Sequence, residues 1–228
     1  MLLGGSFQND QKHVPVLLIY EAENASFTKW KYKGIFYSYD NLEANSLECP
    51  NIAKIGDKWV LLFSPFGQVE YHIGTVDFET CTFHDEKSGM VDYSRNYYAT
   101  NIMHDDKDRY ILWGSILTNN TLRHGWNNCM GIPRVISLDE NNDFIQKPAE
   151  ELEQLRRTSV NFKGSAYRNH HVVTQNHTGT FEIIANMKPG CEIVLRYDGR
   201  DVIFSWDFDG FYADDCLIPL EFRKDLLF

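Results

Sequence analysis

The residues most able to do chemistry sit together at Glu48-Cys49-Pro50. Proline fixes its own φ and pushes the residue before it towards extended geometry, so a carboxylate two positions earlier can be aimed rigidly. Three residues match by chance, however, and a glutamate at a strand start is ordinarily exposed. Histidines 170, 171 and 177 form a loose group with no well-spaced acid or cysteine, as in a solvated loop. The five cysteines, at 49, 81, 129, 191 and 216, contain no CxxC spacing; they read as reduced structural thiols rather than zinc ligands. No metal site is expected.

The 228 residues suffice for one large domain or one domain and part of another. Thirty-two acids against 22 bases give a formal charge of −10, which repels phosphate backbones and excludes nucleic acid as an expected partner. No apolar run approaches a membrane span, so no membrane is expected either. Met1 to Gly5 is too short and too poor in bases to read as a signal peptide. Tyr, Phe and Trp reach 14%, and such residues favour strands and also stack on sugar rings.

Short apolar runs separated by turn chemistry dominate the chain. Val14–Tyr20, Trp59–Ser64, Tyr71–Val76 and Tyr110–Gly114 read as strands. Arg134–Leu138 and Phe144–Gln146 flank the turn Asp139–Asp143 as a hairpin, and Asp85 to Gly89 reads as a polar connection. Pro148–Arg157, with Leu152 and Leu155 three apart, acids early and arginine late, predicts a short amphipathic helix. Beyond it Thr180–Met187, Glu192–Tyr197 and Val202–Trp206 are again strands, the last two joined by the hairpin signal Asp198-Gly199. The expectation is an all-β architecture, compatible with propeller blades before residue 148 and a sandwich after residue 158.

An ordered set of motifs adds to this. Glu48-Cys49-Pro50 is followed by Leu61-Leu62-Phe63-Ser64-Pro65, Tyr71-His72-Ile73-Gly74, and Asp92 to Ala99 (DYSRNYYA). Then come Ile111-Leu112-Trp113-Gly114, Gly125-Trp126, Pro133-Arg134, and Glu151-Leu152 with Leu155-Arg156. This order resembles glycoside hydrolase family 32, the invertases, inulinases, levanases and sucrose-6-phosphate hydrolases. Their motifs run WECPD, LLxSP, Y-x-IG, D-x-G-x-DFYA, GW-x-G with PRE, and EL with LR. The resemblance runs through the whole chain and is strongest from Glu48 to Arg156.

The resemblance implies an incomplete five-bladed β-propeller over residues 1–147, a linker helix over 148–158, and part of a β-sandwich over 159–228. It implies retaining hydrolysis of terminal fructosyl bonds in sucrose or fructans, needing no cofactor. The expected partner is that oligosaccharide. Two carboxylates roughly 5–5.5 Å apart carry such chemistry. Glu48 corresponds to the general acid/base, its pKa raised by burial and by the nucleophile's charge. Asp92 corresponds to a sugar-binding aspartate. Arg95 either pairs with it three residues on or reaches the sugar beyond the scissile bond. Tyr98 and Trp126 correspond to pocket-wall aromatics, with core packing as the other reading of each.

The match has gaps. No WMNDPNG-like segment bearing the nucleophile is present, and no RDP; Asn9-Asp10 lacks the proline and lies too near Glu48. Met1–Gly5 resembles the strand after RDP, and Leu226-Leu227-Phe228 ends where the sandwich should continue. The chain is therefore expected to be an internal piece, poorly stable alone through open strand edges, and catalytically silent. Leu47, Asn51, Asn96, Asn101 and Ser115 depart from the family residues at positions expected to shape the pocket rim. A non-catalytic sugar-binding or degenerate relative is the alternative. Arabinan-type propeller glycosidases lack this motif order. The exact fructoside, hydrolysis against fructosyl transfer, compartment and oligomeric state are not legible in the sequence.

Overall fold

A computed structural model describes residues 1–9, 12–41, 44–118, 125–161, 180–197, 199–207 and 209–219. The sequence's histidine group at 170, 171 and 177, and Asp10, Asp198 and the last nine residues, lie outside the described residues. The chain divides into two compact units, Met1–Leu155 and Arg156–Phe228.

The first unit contains three antiparallel sheets that follow one another along the chain. Strands β1 (Leu2–Asn9), β2 (Lys12–Ala22) and β3 (Trp30–Ser38) form the first, in that order. Strands β4 (Glu48–Ile55), β5 (Lys58–Ser64), β6 (Glu70–Asp77) and β7 (Thr82–Met90) form the second. The third has β9 (Tyr110–Ile116) beside β8 (Tyr97–His104), the two-residue β10 (Cys129–Met130) and β11 (Arg134–Leu138), with β12 (Phe144–Pro148) beyond β11. The first strand of each sheet touches the first of the next, β1 against β4 and β4 against β8. Meanders related in this way are successive blades of a β-propeller.

The packing explains why β5 is apolar from Trp59 to Phe63. Side chains of a strand alternate between its faces. Leu61 and Phe63 face the first sheet, where they join Leu17, Phe36, Tyr39, Leu47 and Phe83. Val60 and Leu62 face the third sheet and join Val69, Ile73, Val91, Tyr97, Leu112 and Ile136. All four are fully buried, because a middle blade is covered on both sides. Each such side chain contributes about 1.5–3 kcal/mol on burial.

A histidine stands inside this core. His72, 4% exposed, is stacked on Phe63 with ring centroids 4.8 Å apart. Its Nδ1 lies 2.6 Å from Asp85 Oδ2 and its Nε2 3.2 Å from Glu70 Oε2. Two carboxylates facing both ring nitrogens require both to donate, which is the imidazolium. From the first sheet, the Tyr39 hydroxyl donates to Glu70 Oε1 at 2.5 Å and that of Tyr37 to Asp85 Oδ2 at 3.3 Å. Burial opposes the charge on His72, but the hydrogen bonds and attraction of Glu70 and Asp85 outweigh it and raise the pKa.

The expected helix at 148–157 is a 3₁₀ helix, Glu150–Leu155, with no buried residue. Charges rather than an apolar face hold it: Lys107 and Arg109, both in the β8–β9 turn, pair with Glu150 and Glu151. Hydrogen bonds from Arg109 and Lys107 pull Glu151 down to about 2. The stretch Asp85–Gly89 is not a connection but part of β7, a strand at the outer edge of its sheet whose side chains from His84 to Ser88 are exposed. An edge strand with one solvated face carries no apolar signature.

The second unit has one four-stranded antiparallel sheet in sequential order: β13 (Glu192–Tyr197), β14 (Arg200–Trp206), β15 (Gly210–Ala213) and β16 (Cys216–Pro219). Met187, Trp206 and Phe211 pack on one face, as in one half of a sandwich. Thr180–Met187, expected as a strand, is in no ladder. Among the described residues no helix is long and apolar enough to cross a membrane.

His72 makes stability depend on pH. Its folded pKa is raised, so its contribution is complete below the unfolded value of about 6.5 and is lost as pH rises through the folded value. Denaturant unfolding of the chain from pH 6 to pH 9 should show this fall. His72→Gln should abolish that slope and remove roughly 3 kcal/mol at pH 6, since it leaves two carboxylates without their cation.

Candidate active site

Glu48 opens β4 and sits opposite Ser64 of β5. The ladder then slips by a bulge between Glu48 and Asn51, with Cys49 in the left-handed region at φ 48°. Bulges of this kind re-aim a side chain. Strand β8 repeats the device: its ladder slips between Tyr98 and Asn101, and Ala99 has φ 49°. The two re-aimed side chains meet. The Tyr98 hydroxyl donates to Glu48 Oε2 at 2.8 Å, bridging 50 positions of sequence. Burial, this hydrogen bond and the Glu48 charge push the Tyr98 phenol up to about 12. Burial and then Glu48 also raise the Cys49 thiol.

What lies behind Glu48 is firm. Leu47 is fully buried in the core between the first two sheets. Strand β1 crosses it so closely that a Cβ on Gly4 would stand 1.8 Å from the Leu47 carbonyl oxygen. Glycine is thus required there for close approach.

Asp92 forms a second polar group. Its Oδ2 accepts from Arg134 Nη2 at 2.8 Å and its Oδ1 from the Ser94 amide at 2.9 Å. Arg134 also donates to Gln146 Oε1 at 3.2 Å, and its guanidinium lies 4.0 Å above the Tyr97 ring. Gln146 in turn donates to the Val91 carbonyl at 2.7 Å, closing the set around the start of the segment. The cation paired with Asp92 is therefore Arg134, not Arg95, which is exposed. The expected local pair gives way because a guanidinium flanked by Gln146 and an aromatic face is held at lower entropic cost than a free loop side chain.

Trp126 lies in the loop before β10, 51% exposed, and among the described residues it makes no hydrogen bond or ring contact with Glu48 or Tyr98. The structure thus joins Glu48 with Tyr98, gives Asp92 a different cation, and leaves Arg95 and Trp126 outside both groups. Arg134 was overlooked as a site residue, although its place after Pro133 in the motif series marked it. Among the described residues no group of three or more His, Cys, Asp or Glu side chains can hold a metal ion. The carboxylates on His72 lie at opposite ring nitrogens and do not converge.

Residues 1–148 match the Glycosyl hydrolases family 32 N-terminal domain. The chain belongs to family 32. It is similar to the beta-fructofuranosidase, insoluble isoenzyme CWINV3, of Arabidopsis thaliana, with 31% identity over 143 residues, 56% of this chain and 24% of that protein. Among solved structures it resembles a mutant of the Bombyx mori GH32 beta-fructofuranosidase BmSUC1 in complex with sucrose, with TM-score 0.61 and 21% identity over 85% of this chain and 39% of that one. A fructan 1-exohydrolase IIa of Cichorium intybus, in complex with 1-kestose, gives TM-score 0.60 and 22% identity over 86% of this chain and 37% of that one. At such identities the structures establish the fold: a β-propeller portion followed by a β-sandwich portion. The family 32 chain spans about a quarter of the length of the Arabidopsis relative.

The close crossing behind Glu48 is testable in this family 32 chain. Gly4→Ala should lower stability by roughly 2–3 kcal/mol, because backbone must move to admit the methyl group. Gly5→Ala, whose Cβ would meet Leu18 Cδ1 at an ordinary 3.6 Å, should change it little in the same denaturant titration.

Proposed function

We propose that this chain is the acid/base-bearing portion of a retaining β-fructofuranosidase-type glycoside hydrolase that cleaves terminal fructosyl bonds in sucrose or fructans. The observation that carries the reading is the Tyr98–Glu48 hydrogen bond at 2.8 Å, which orients the one carboxylate that falls in the family's ECP motif. Family membership over residues 1–148 supports the reaction class, and relatives bearing sucrose and 1-kestose support an oligosaccharide substrate. Residues 1–147 then belong to a propeller catalytic domain, 148–158 to a linker, and 159–228 to a sandwich.

In this reading Glu48 gives its proton to the leaving oxygen as an aspartate attacks the anomeric carbon. The carboxylate formed is stabilised by the Tyr98 hydroxyl already directed at Oε2. In the second step Glu48 takes a proton from water, which displaces the aspartate and releases fructose. The attacking aspartate belongs to a WMNDPNG-like segment absent from these residues, so the 228-residue chain alone is catalytically silent. Asp92, held by Arg134, accepts hydrogen bonds from sugar hydroxyls, and Tyr98 and Trp126 present aromatic walls. In this reading Arg95 reaches the sugar beyond the scissile bond.

The test uses the natural polypeptide that contains these residues, offered sucrose, 1-kestose, inulin, levan and arabinan in parallel. Glu48→Gln should reduce fructose release from sucrose by roughly 10²–10⁴-fold, as loss of a general acid does. With p-nitrophenyl β-fructofuranoside the first step should be spared, seen as a burst of nitrophenolate, because nitrophenolate leaves without a proton, whereas release of fructose should still be slowed for want of the base. Unchanged sucrose turnover in Glu48→Gln would remove Glu48 from the chemistry. Sugar binding without turnover by the natural polypeptide would favour the non-catalytic reading instead.

A further inference from the structure

Strands β4 and β8 lie side by side but belong to different sheets and share no ladder. One side chain supplies what a ladder would. Asn51 Nδ2 donates to the Cys49 carbonyl at 2.7 Å and to the Thr100 carbonyl at 2.8 Å, and Asn51 Oδ1 accepts from the Ile102 amide at 3.0 Å. The C=O of Thr100 and the N–H of Ile102 are the pair of groups that a neighbouring strand would bind, and one carboxamide engages both. The same amide holds the carbonyl of Cys49, the residue displaced by the bulge after Glu48.

We propose that Asn51 is the positioning residue of the Glu48–Tyr98 pair, clamping the bulge that follows Glu48 to the bulge that follows Tyr98. This rests on reading Glu48 as the acid/base and extends it to the residue that holds the backbone around Glu48 and Tyr98. Cys49 and Ala99 both occupy left-handed backbone that non-glycine residues adopt only when held, and both bulges set the direction of the residue before them. With the clamp removed, each bulge is free to relax, and a displacement of about 1 Å ends a 2.8 Å hydrogen bond. The family motif carries aspartate at this place, and a carboxylate has no hydrogens for the two carbonyls. Asn51, expected from its departure from the motif at the pocket rim, spends its carboxamide on backbone groups.

The experiment follows Tyr98 by NMR in the chain labelled with ¹³Cζ-tyrosine, with Tyr98→Phe to assign its signal and circular dichroism to check the fold. In the unsubstituted chain Tyr98 should be about one-tenth ionised at pH 11; in Asn51→Leu and Asn51→Ala it should be severalfold more ionised at that pH, because the hydrogen bond to Glu48 is lost while burial remains. A folded Asn51→Leu or Asn51→Ala chain in which Tyr98 stays one-tenth ionised overturns the proposal. If neither variant folds, hydrogen exchange of the Asn51 side-chain amide in the unsubstituted chain decides: strong protection supports the clamp, and the rate of an exposed asparagine overturns it. Glu48→Gln separates the two ideas. A fall in the Tyr98 titration there with no effect of Asn51 substitution sinks the clamp alone. Natural polypeptide that keeps its turnover in Glu48→Gln sinks the catalytic reading while leaving the clamp standing.

Discussion

Everything at the site depends on two strands of different blades keeping a fixed offset without a ladder between them. A sheet sets register through its own hydrogen bonds, but neighbouring blades meet mainly through side chains, and apolar contacts are not directional. The Glu48–Tyr98 hydrogen bond crosses such a junction. Its 2.8 Å length is meaningful only because β4 and β8 are each bent at a bulge, and because Leu47 is locked in the core directly behind Glu48. The same crossing admits no side chain on Gly4, so β1 abuts the chain at the one place where displacement would reach the carboxylate.

The junctions on either side of the middle blade are built differently. Towards the first sheet lies an apolar layer with one charged centre, His72, whose two carboxylates receive tyrosine hydroxyls from the neighbouring blade. Towards the third sheet the core is apolar, and the polar groups gather at its end, where Asp92, Arg134 and Gln146 satisfy one another. In both cases a buried or half-buried charge is kept by more than one partner, which is the condition for such charges to be tolerated. The directional contacts across these junctions hold the blades in one orientation where apolar packing alone would allow sliding.

Much of the fold was legible from pattern. The run Trp59–Ser64 announced a strand, and Asp139–Asp143 announced the β11–β12 hairpin, because both signals are local. Strand β7 was missed because an outer edge has no apolar alternation to read. Strand β4 was missed because Pro50 argues against a strand, whereas here it falls inside the bulge where a ladder bond is already absent. The segment Pro148–Arg157 shows the opposite error: its spacing of leucines suggested an apolar face, but Leu155 is 70% exposed and acidic side chains do the anchoring.

For the site, the sequence by itself singled out Glu48 and the order of the motifs around it, since these depend on residue identity and local backbone restriction. It also determined that the chain is built of strands. Only the tertiary structure decided the partners. Asp92 took Arg134, 42 positions away, over Arg95, three positions away; Tyr98 reached Glu48 across 50 positions; Asn51 turned from a presumed rim residue into a bridge between strands. The physical reason is common to all three. A hydrogen bond is decided by ångström-scale distance and angle, and in a propeller those distances are set where separate blades meet, which no local stretch of sequence encodes.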